Sequence, residues 1–404
     1  MSCFICQNKY LFRFLNFGNQ PPSDAFVRKE DIGKPETKYT LSLYFCGECG
    51  LVQLGYAVDP NMLFRDYVYT TGMNNSLRKN FRELVDKIVF RFALGRSDLA
   101  IDIGSNDGTL LENYASHNVS TLGVDPSSVA AIAVSKGIKT VRDFWNKGTA
   151  ERIVKEYGKA KVVTATNVFA HVEDLDSFMR GLQAGLRDDG VFISESGYLL
   201  DMVETLGYDA VYHEHLRYYS LKPLTVLFER FGMEMFDVEH IPSHNGSIRV
   251  YAARKGAYAK TSSIGELLAQ EERKGLHTKE TLVQFAKRAY AHRDAFTALL
   301  TGIKKSGKRI VGIGAPAKGN TLLNFCGITT ETIDCLLEKS ELKIGLYAPG
   351  TRIPVVSESL LYSERPDFAL ILSWNLASEL MPKLRANGYK GAFIIPFPEP
   401  KIVH

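Results

Sequence analysis

The clearest pattern along the chain is an apolar run that ends in a glycine-rich turn. Residues 99–103 are apolar except for Asp102. Gly104 and Gly108 come next, and apolar residues return soon afterwards. This pattern predicts a buried parallel strand, a tight turn and the start of a helix. Four further strand-like runs follow within residues 97–255. Strands that alternate with helices at this spacing predict a parallel sheet with helices on both faces.

The same alternation returns near the C-terminus, so the chain is predicted to be α/β with two open sheets. A strand is predicted at 333–336, and a helix is predicted much earlier at 75–94. Charged residues with an intermittent leucine and phenylalanine stripe predict a helical connector between the two sheets. The predicted division is 1–70 for an N-terminal lobe, 71–262 for the central domain with its linking helix, 263–305 for the connector and 306–404 for the C-terminal domain.

The N-terminal lobe carries two C-x-x-C pairs, Cys3 with Cys6 and Cys46 with Cys49. Four thiolates at this spacing can close a tetrahedral shell around zinc, and such a fully sulfur-ligated site is structural and leaves no position open for catalysis. The alternatives are free thiols or a redox pair. We expect a structural zinc that stabilises a lobe too small to bury a sufficient core.

Composition narrows the class of protein. The chain has 404 residues, 45% hydrophobic and 23% charged, and its formal net charge is +4. This weak, evenly spread charge argues against a nucleic-acid partner, and no apolar run is long enough to predict a membrane span. The N-terminus lacks the apolar core of a signal peptide, and paired cysteines without an export signal indicate a cytoplasmic protein.

The glycine turn also predicts the cofactor. Its spacing, Asp102-x-Gly104-x-x-x-Gly108, is close to a dinucleotide fingerprint, but Asp107 lies inside it. A carboxylate repels a pyrophosphate, whereas it suits the sulfonium cation of S-adenosylmethionine. Asp125 follows the second strand, where an acid binds the ribose hydroxyls, and we favour this role, although Asp125 could also cap the next helix. The alternative for the whole motif is a purely structural turn. The candidate cofactor-binding residues are Asp102, Gly104, Asn106, Gly108, Asp125, Phe144 and Asn167.

Residues 208–220 form the densest polar and aromatic cluster of the chain. Such side chains are difficult to bury without partners, and they could supply a general base and phenol donors for an oxyanion. A metal site at His213 and His215 and a purely structural network are the alternatives. Asn245, Ser247 and Arg249 lie at the start of a later strand. Lys318 and Asn320 lie in a second glycine-rich turn, which could receive an anion. The candidate substrate-binding residues are Asn245, Ser247, Arg249, Lys318 and Asn320.

Together these motifs resemble the nucleotide-sugar C-methyltransferases that add a methyl branch to deoxysugars. The resemblance extends over essentially the whole chain, through the cysteine pairs, IGSNDGTLL, NVFAHVEDL, VYHEHLRYYS, NGSIRVYA, GIGAPAKGNT and FIIPFPEPKIV. It implies a zinc-binding N-terminal lobe, a central Rossmann-like S-adenosylmethionine methyltransferase domain and a C-terminal Rossmann-like domain that binds the nucleotide sugar. Many members of that family have Glu at the position of Asp125, and we expect the shorter Asp125 still to hold a ribose.

The resemblance also implies residue roles and a reaction. His215 would take a proton from C3 of a nucleotide-linked 4-keto-6-deoxyhexose, with Glu214 holding the ring. The supporting side chains would be Tyr69, His171 and Tyr212. A nicotinamide-dependent sugar oxidoreductase and a zinc-ribbon RNA-modifying protein are the alternative functions. The expected partners are the nucleotide-linked ketosugar, S-adenosylmethionine and zinc, with no nucleic acid or membrane, in a monomer.

Overall fold

A computed structural model of the protein describes residues 1–65, 70–73 and 75–404. The N-terminal lobe contains three antiparallel strands: β1 (Leu11–Gln20), β2 (Tyr39–Cys46) and β3 (Val52–Leu54). Apolar side chains from β1 and β2, including Leu15 and Leu41, are fully buried beneath the sheet. The lobe therefore has a small core of its own beside the cysteine pairs.

The central domain is built on a seven-stranded sheet with spatial order β10-β11-β8-β7-β4-β5-β6. Its strands, with the short β9, are β4 (Leu99–Ile103), β5 (Ser120–Val124), β6 (Thr140–Val141), β7 (Ala160–Thr166), β8 (Leu186–Gly197), β9 (Arg217–Tyr218), β10 (Met233–Ile241) and β11 (Ser247–Arg254). Strands β4 to β8 are parallel, and β11 runs antiparallel to both of its neighbours, β8 and β10. The order reverses between β4 and β7, which is where open α/β sheets bind ligands.

Helices surround this sheet and lead into the connector. They are α1 (Pro60–Phe64), α2 (Asn75–Arg91), α3 (Ala130–Ser135), α4 (Lys147–Tyr157), α5 (Leu175–Gly185), α6 (Leu199–Glu204), α7 (Leu221–Arg230), α8 (Ser262–Arg273) and α9 (Lys279–Lys305). The last two form a helical pair over the stretch predicted as the connector. No helix within the described ranges is long and apolar enough to cross a membrane.

Strand β9 does not join the central sheet. Val52 of β3 pairs with Tyr218, and Gln53 pairs with Arg217, so β9 becomes the fourth strand of the N-terminal sheet. The segment that follows His215 is therefore bound directly to the cysteine lobe. A strand of two residues without an apolar run cannot be predicted from local sequence patterns.

The C-terminal domain has a six-stranded sheet with order β14-β13-β12-β15-β16-β17, in which only β17 is antiparallel. Its elements are β12 (Ile310–Ile313), α10 (Ala317–Phe325), β13 (Leu336–Glu338), β14 (Val355–Ser357), α11 (Leu360–Glu364), β15 (Phe368–Ile371), α12 (Ala377–Ala386), β16 (Ala392–Ile395) and β17 (Lys401–Val403). The α/β class and the zinc-binding lobe predicted from sequence are confirmed.

Two local predictions differ from the structure. The strand predicted at 333–336 begins only at Leu336, because Ile333 closes a turn onto the Thr329 carbonyl. The helix predicted after the glycine turn is a 3-10 segment, Leu111–His117. There the Asn113 amide donates to the carbonyls of Thr109 and Leu110, and such side-chain bonds compete with α-helical ones.

Candidate functional site

A cavity of about 1350 Å³ lies at the carboxyl ends of β4, β5 and β7. It reaches from the glycine turn after β4, past the 208–218 segment, to the first turn of α10 in the C-terminal domain. Asp24 of the N-terminal lobe also lines it. The cavity is therefore shared by all three parts of the fold, as expected for a site that holds two reactants.

Residues of the glycine turn shape one end of the cavity. Gly104 has a φ of +69°, and a Cβ at this position would lie 2.3 Å from Cγ2 of Val168, so only glycine fits. Asp125 accepts hydrogen bonds from the backbone N–H of Asn106 at 2.8 Å and from Ser127. The acid thus ties the turn to the end of β5 and fixes Ser127, although it does not cap α3, and its predicted contact with a ribose stays a prediction.

The donors at this end fit S-adenosylmethionine. Asp102, Gly104, Asn106, Asp125, Phe144 and Asn167 all line the cavity. Ser105 also lines the cavity, but its buried hydroxyl lies against Gly123 of β5 and has no hydrogen-bond partner among the described residues. Burial raises the pKa of Asp102 to about 7, although Thr164 donates a 2.6 Å hydrogen bond to it. A cationic ligand beside this carboxyl would favour its charged form.

Two predictions about the turn are modified. Gly108 lies behind the cavity wall, where a Cβ would meet Ile138 at 2.4 Å, so its role is close packing. Asp107 does not act as the predicted counter-charge of a ligand, because its carboxylate accepts hydrogen bonds from Gly72 N–H at 2.8 Å and from Thr109. Asp107 instead fastens residues 70–73 to the turn. The predicted catalytic Tyr69 lies outside the described residues.

Three aromatic side chains meet in the middle of the cavity. The His215 ring centroid lies 4.0 Å from that of Tyr212 and 5.0 Å from that of His171, which is itself stacked on Phe64. Nδ1 of His215 lies 2.8 Å from the Ala210 carbonyl oxygen. Because a carbonyl can only accept, Nδ1 carries the proton and Nε2 carries the lone pair.

The electrostatics keep these imidazoles neutral. Burial lowers the pKa of His215 to about 4, and the hydrogen bond to Ala210 only partly opposes this. Burial, with a smaller effect from His215, also lowers the pKa of His171 well below its usual value. At neutral pH both rings are uncharged, so His215 has the protonation state that a general base needs.

The structure changes the roles predicted for the neighbours of His215. The Ala210 carbonyl, and not Glu214, holds Nδ1 of the ring, while Glu214 is buried in the cavity wall. His213 turns towards the N-terminal lobe, where its Nε2 lies 3.3 Å from the Tyr39 carbonyl oxygen. The two histidines therefore do not converge on a metal ion.

The predicted substrate-binding residues separate into two groups. Asn245, Arg249 and Lys318 line the cavity. The Ser247 hydroxyl donates to the Ser243 carbonyl, and the Asn320 amide donates to the Ser23 carbonyl, so both are used in packing and lie off the cavity wall formed by the described residues.

Arg249 and Lys318 also have protein partners. Arg249 forms a buried ion pair with Glu195, with Nη2 to Oε2 at 2.8 Å, and its Nη2 also donates to Asn80. Arg249 is thus held by buried protein partners, which indicates a structural role, and its role as a substrate ligand stays a prediction. Lys318 donates to Asn375 and lies 5.0 Å from the Trp374 ring centroid. Sequence reasoning missed Trp374 because no local motif marks it.

The cysteine pairs fit a zinc ion. The four Sγ atoms lie within 4.8 Å of one another, with Cys3 and Cys49 at 3.5 Å and Cys6 and Cys46 at 3.4 Å. Tetrahedral zinc with Zn–S bonds of about 2.3 Å requires S···S distances of about 3.8 Å, so the thiols need only small shifts. All four are free of disulfides, and within the described ranges this is the single cluster that could hold a metal.

The central sheet and the cavity at its switch point lie largely within residues 76–238, and this stretch matches a family described as "Methyltransferase domain". A "Putative zinc binding domain" matches residues 3–64, and a "C-methyltransferase C-terminal domain" matches residues 242–398. The chain is 33% identical to the C-methyltransferase NovU of Streptomyces niveus, over 99% of this chain and 96% of that protein. It therefore belongs to the C-methyltransferase family, with S-adenosylmethionine and zinc as its cofactors.

Solved structures resemble the chain over less than half its length. An S-adenosylmethionine-dependent methyltransferase from Clostridium acetobutylicum is 14% identical, with a TM-score of 0.36 over 44% of this chain and 92% of that one. Magnesium protoporphyrin IX methyltransferase from Synechocystis, with bound SAH, is 15% identical. Its TM-score is 0.34, and the match covers 45% of this chain and 88% of that one. The family assignment rests on the full-length relative and the three domain matches.

Proposed function

We propose that this S-adenosylmethionine-dependent C-methyltransferase methylates C3 of a nucleotide-linked 4-keto-6-deoxyhexose. The observation that carries the proposal is the orientation of His215, whose Nδ1 is bonded to Ala210 and whose Nε2 has no hydrogen bond to any of the described residues. A carbon beside a ketone becomes nucleophilic when a base removes its proton and its enolate oxygen is stabilised. Membership of the C-methyltransferase family favours this chemistry over sugar oxidation and RNA modification.

In the proposed reaction, Nε2 of His215 takes the proton from C3, and the electron pair of the C–H bond becomes the enolate. S-adenosylmethionine supplies an electrophilic methyl group on a sulfonium. The enolate carbon forms the new C–C bond as the S–CH₃ bond breaks, so S-adenosylhomocysteine leaves with that electron pair. In-line attack requires the reacting atoms to be held about 3 to 3.5 Å apart.

Neighbouring groups are proposed to hold the sugar and its charge. Burial raises the pKa of Tyr212 well above its usual value, so its hydroxyl stays protonated and can donate to the enolate oxygen. His171 lies on the other side of His215 and can donate to a neighbouring sugar oxygen. Lys318, in the first turn of α10, is positioned to attract the diphosphate of the nucleotide. Asn245 also lines the cavity and is proposed to contact the sugar.

The variant His215→Asn tests the proposal. It removes the base and keeps a polar side chain of similar size, so turnover should fall about a hundredfold or more while S-adenosylmethionine still binds. The matched control is His117→Asn, which removes an imidazole that is paired with Asp86 of α2 and does not line the cavity. Near-normal turnover of His215→Asn would place the base elsewhere.

A substrate panel tests the sugar assignment separately. Purified enzyme and labelled S-adenosylmethionine would be mixed with nucleotide-linked 4-ketosugars that differ in nucleotide and in the C3 substituent, and methylated products would be read by mass spectrometry. The proposal expects a methyl group on C3 of at least one ketosugar and none on the matching 4-hydroxy sugar. Methylation of the 4-hydroxy sugar at the same rate would contradict the enolate route.

A further inference from the structure

The short turn Tyr208–Ala210, which leads into the proposed base, is bonded to the C-terminal half of the chain. Nε2 of His292, on α9, lies 2.6 Å from the Pro396 carbonyl oxygen, directly after β16. This nitrogen must be the donor, so Nδ1 of the same ring accepts from the Tyr208 hydroxyl at 2.8 Å. Both Tyr208 and His292 are buried, and the bonds are shielded from water.

A second bond holds the next residue of the turn. Nε1 of Trp374 donates to the Asp209 carboxylate at 2.6 Å. Asp209 is only 1% exposed, so losing the indole donor would leave a buried carboxylate without that partner. The face of the Trp374 ring lies against Lys318, the group proposed to meet the diphosphate.

The third residue of the turn contacts the base itself, because the Ala210 carbonyl accepts from Nδ1 of His215. We propose that His292 and Trp374 are positioning residues through which the C-terminal domain orients His215. This proposal rests on the proposed function. It adds that the C-terminal domain, which is proposed to bind the nucleotide, controls the geometry of the base. The contacts run without a gap from Lys318 through Trp374, Asp209 and Ala210 to the imidazole.

This arrangement explains why a base would be placed on a turn between domains. A nucleotide diphosphate that binds at Lys318 would lie close to the Trp374 ring, whose indole holds Asp209. The group that meets the nucleotide would therefore be in contact with the bonds that align the imidazole. Misplacement of a reacting group by about 1 Å can lower the rate about a hundredfold.

The test compares two variants that each remove one hydrogen-bond donor from the C-terminal domain. Trp374→Phe keeps a ring and loses the bond to Asp209. Tyr389→Phe, the matched control, loses a 3.1 Å bond to the Ala392 carbonyl that has no connection to the turn. The positioning role predicts that Trp374→Phe lowers kcat by about tenfold to a hundredfold while KM for both substrates changes little. Tyr389→Phe should keep wild-type kcat.

A second measurement needs no turnover. ¹⁵N NMR of histidine-labelled protein at pH 7.5, with His215→Asn for assignment, reports which ring nitrogen carries the proton. We expect the Nδ1–H form of His215 in the wild type and in Tyr389→Phe, and a mixture of both forms in Trp374→Phe. Unchanged kcat and an unchanged Nδ1–H form in Trp374→Phe would overturn the inference. If the wild type methylates no ketosugar, the proposed function fails, and the NMR result still decides the positioning.

Discussion

Replacing Arg249 with methionine should destabilise the central domain strongly, because its guanidinium is the partner of a fully buried carboxylate. Glu195, on β8, is 0% exposed, and Arg249, on the neighbouring β11, is 4% exposed. Two of the guanidinium nitrogens, Nε and Nη2, lie 3.2 and 2.8 Å from Oε2 of Glu195. In Arg249→Met the carboxylate would keep the Asn80 amide as its remaining donor on α2.

The magnitude follows from this burial. Breaking a buried ion pair by removing one partner costs about 3 to 5 kcal/mol, since it leaves an uncompensated charge away from water. For a unit of this size, that loss lowers the unfolding midpoint by about 6 to 20 °C. Replacing both residues, as in Glu195→Met with Arg249→Met, removes the charge as well and should restore much of the stability.

Circular dichroism during heating would measure these midpoints, with Arg254→Met as the matched control. Arg254 ends the same strand, but it is exposed and pairs with exposed Asp188 at 3.4 Å. Its loss should move the midpoint by about 2 °C or less. If Arg249→Met unfolds at the wild-type temperature and only raises KM, Arg249 is a substrate ligand and the structural reasoning is wrong.

Three further perturbations test other parts of the site. Gly104→Ala should abolish S-adenosylmethionine binding in calorimetry, whereas Gly158→Ala, also at a positive φ but with open space around it, should not. Equal binding by both variants would refute the role of Gly104 in shaping the cofactor site. Removing zinc with a chelator should release β9 from β3, because the zinc stabilises the lobe that contains β3, and methyl transfer should therefore stop. Full methyl transfer at zero metal content would contradict this. Because the pKa of Asp102 is raised to about 7, binding of the cationic S-adenosylmethionine should displace the proton of this carboxyl. The affinity for S-adenosylmethionine should therefore fall as the pH drops below 7, and Asp102→Asn should show no proton release on binding.

Local patterns in the sequence predict much of this molecule. The apolar runs predict the parallel strands β4 to β8 of the central sheet, and the glycine turn with Asp102 and Asp125 predicts where the cavity lies. These features depend on residues close together in the chain. The roles of the site residues nevertheless remain predictions until the variants described above are measured.

What the sequence could not predict depends on contacts between distant residues. Arg249 looks like a free charge at a strand start, and its partner Glu195 lies 54 residues away. The bond between Trp374 and Asp209 spans 165 residues. Asp107 was interpreted by its charge alone, but its position directs it to the backbone of Gly72. In each case the fold supplies a partner that spacing and composition do not reveal.

The most direct test of the account follows hydrogen at C3 of the sugar. Enzyme, S-adenosylhomocysteine and a nucleotide-linked 4-ketosugar that the enzyme methylates would be incubated in heavy water, where the methyl group is absent and only proton removal can occur. The account predicts that the wild type introduces deuterium at C3 and that His215→Asn does not. Deuterium incorporation by His215→Asn at the wild-type rate would contradict the central claim that this imidazole removes the proton.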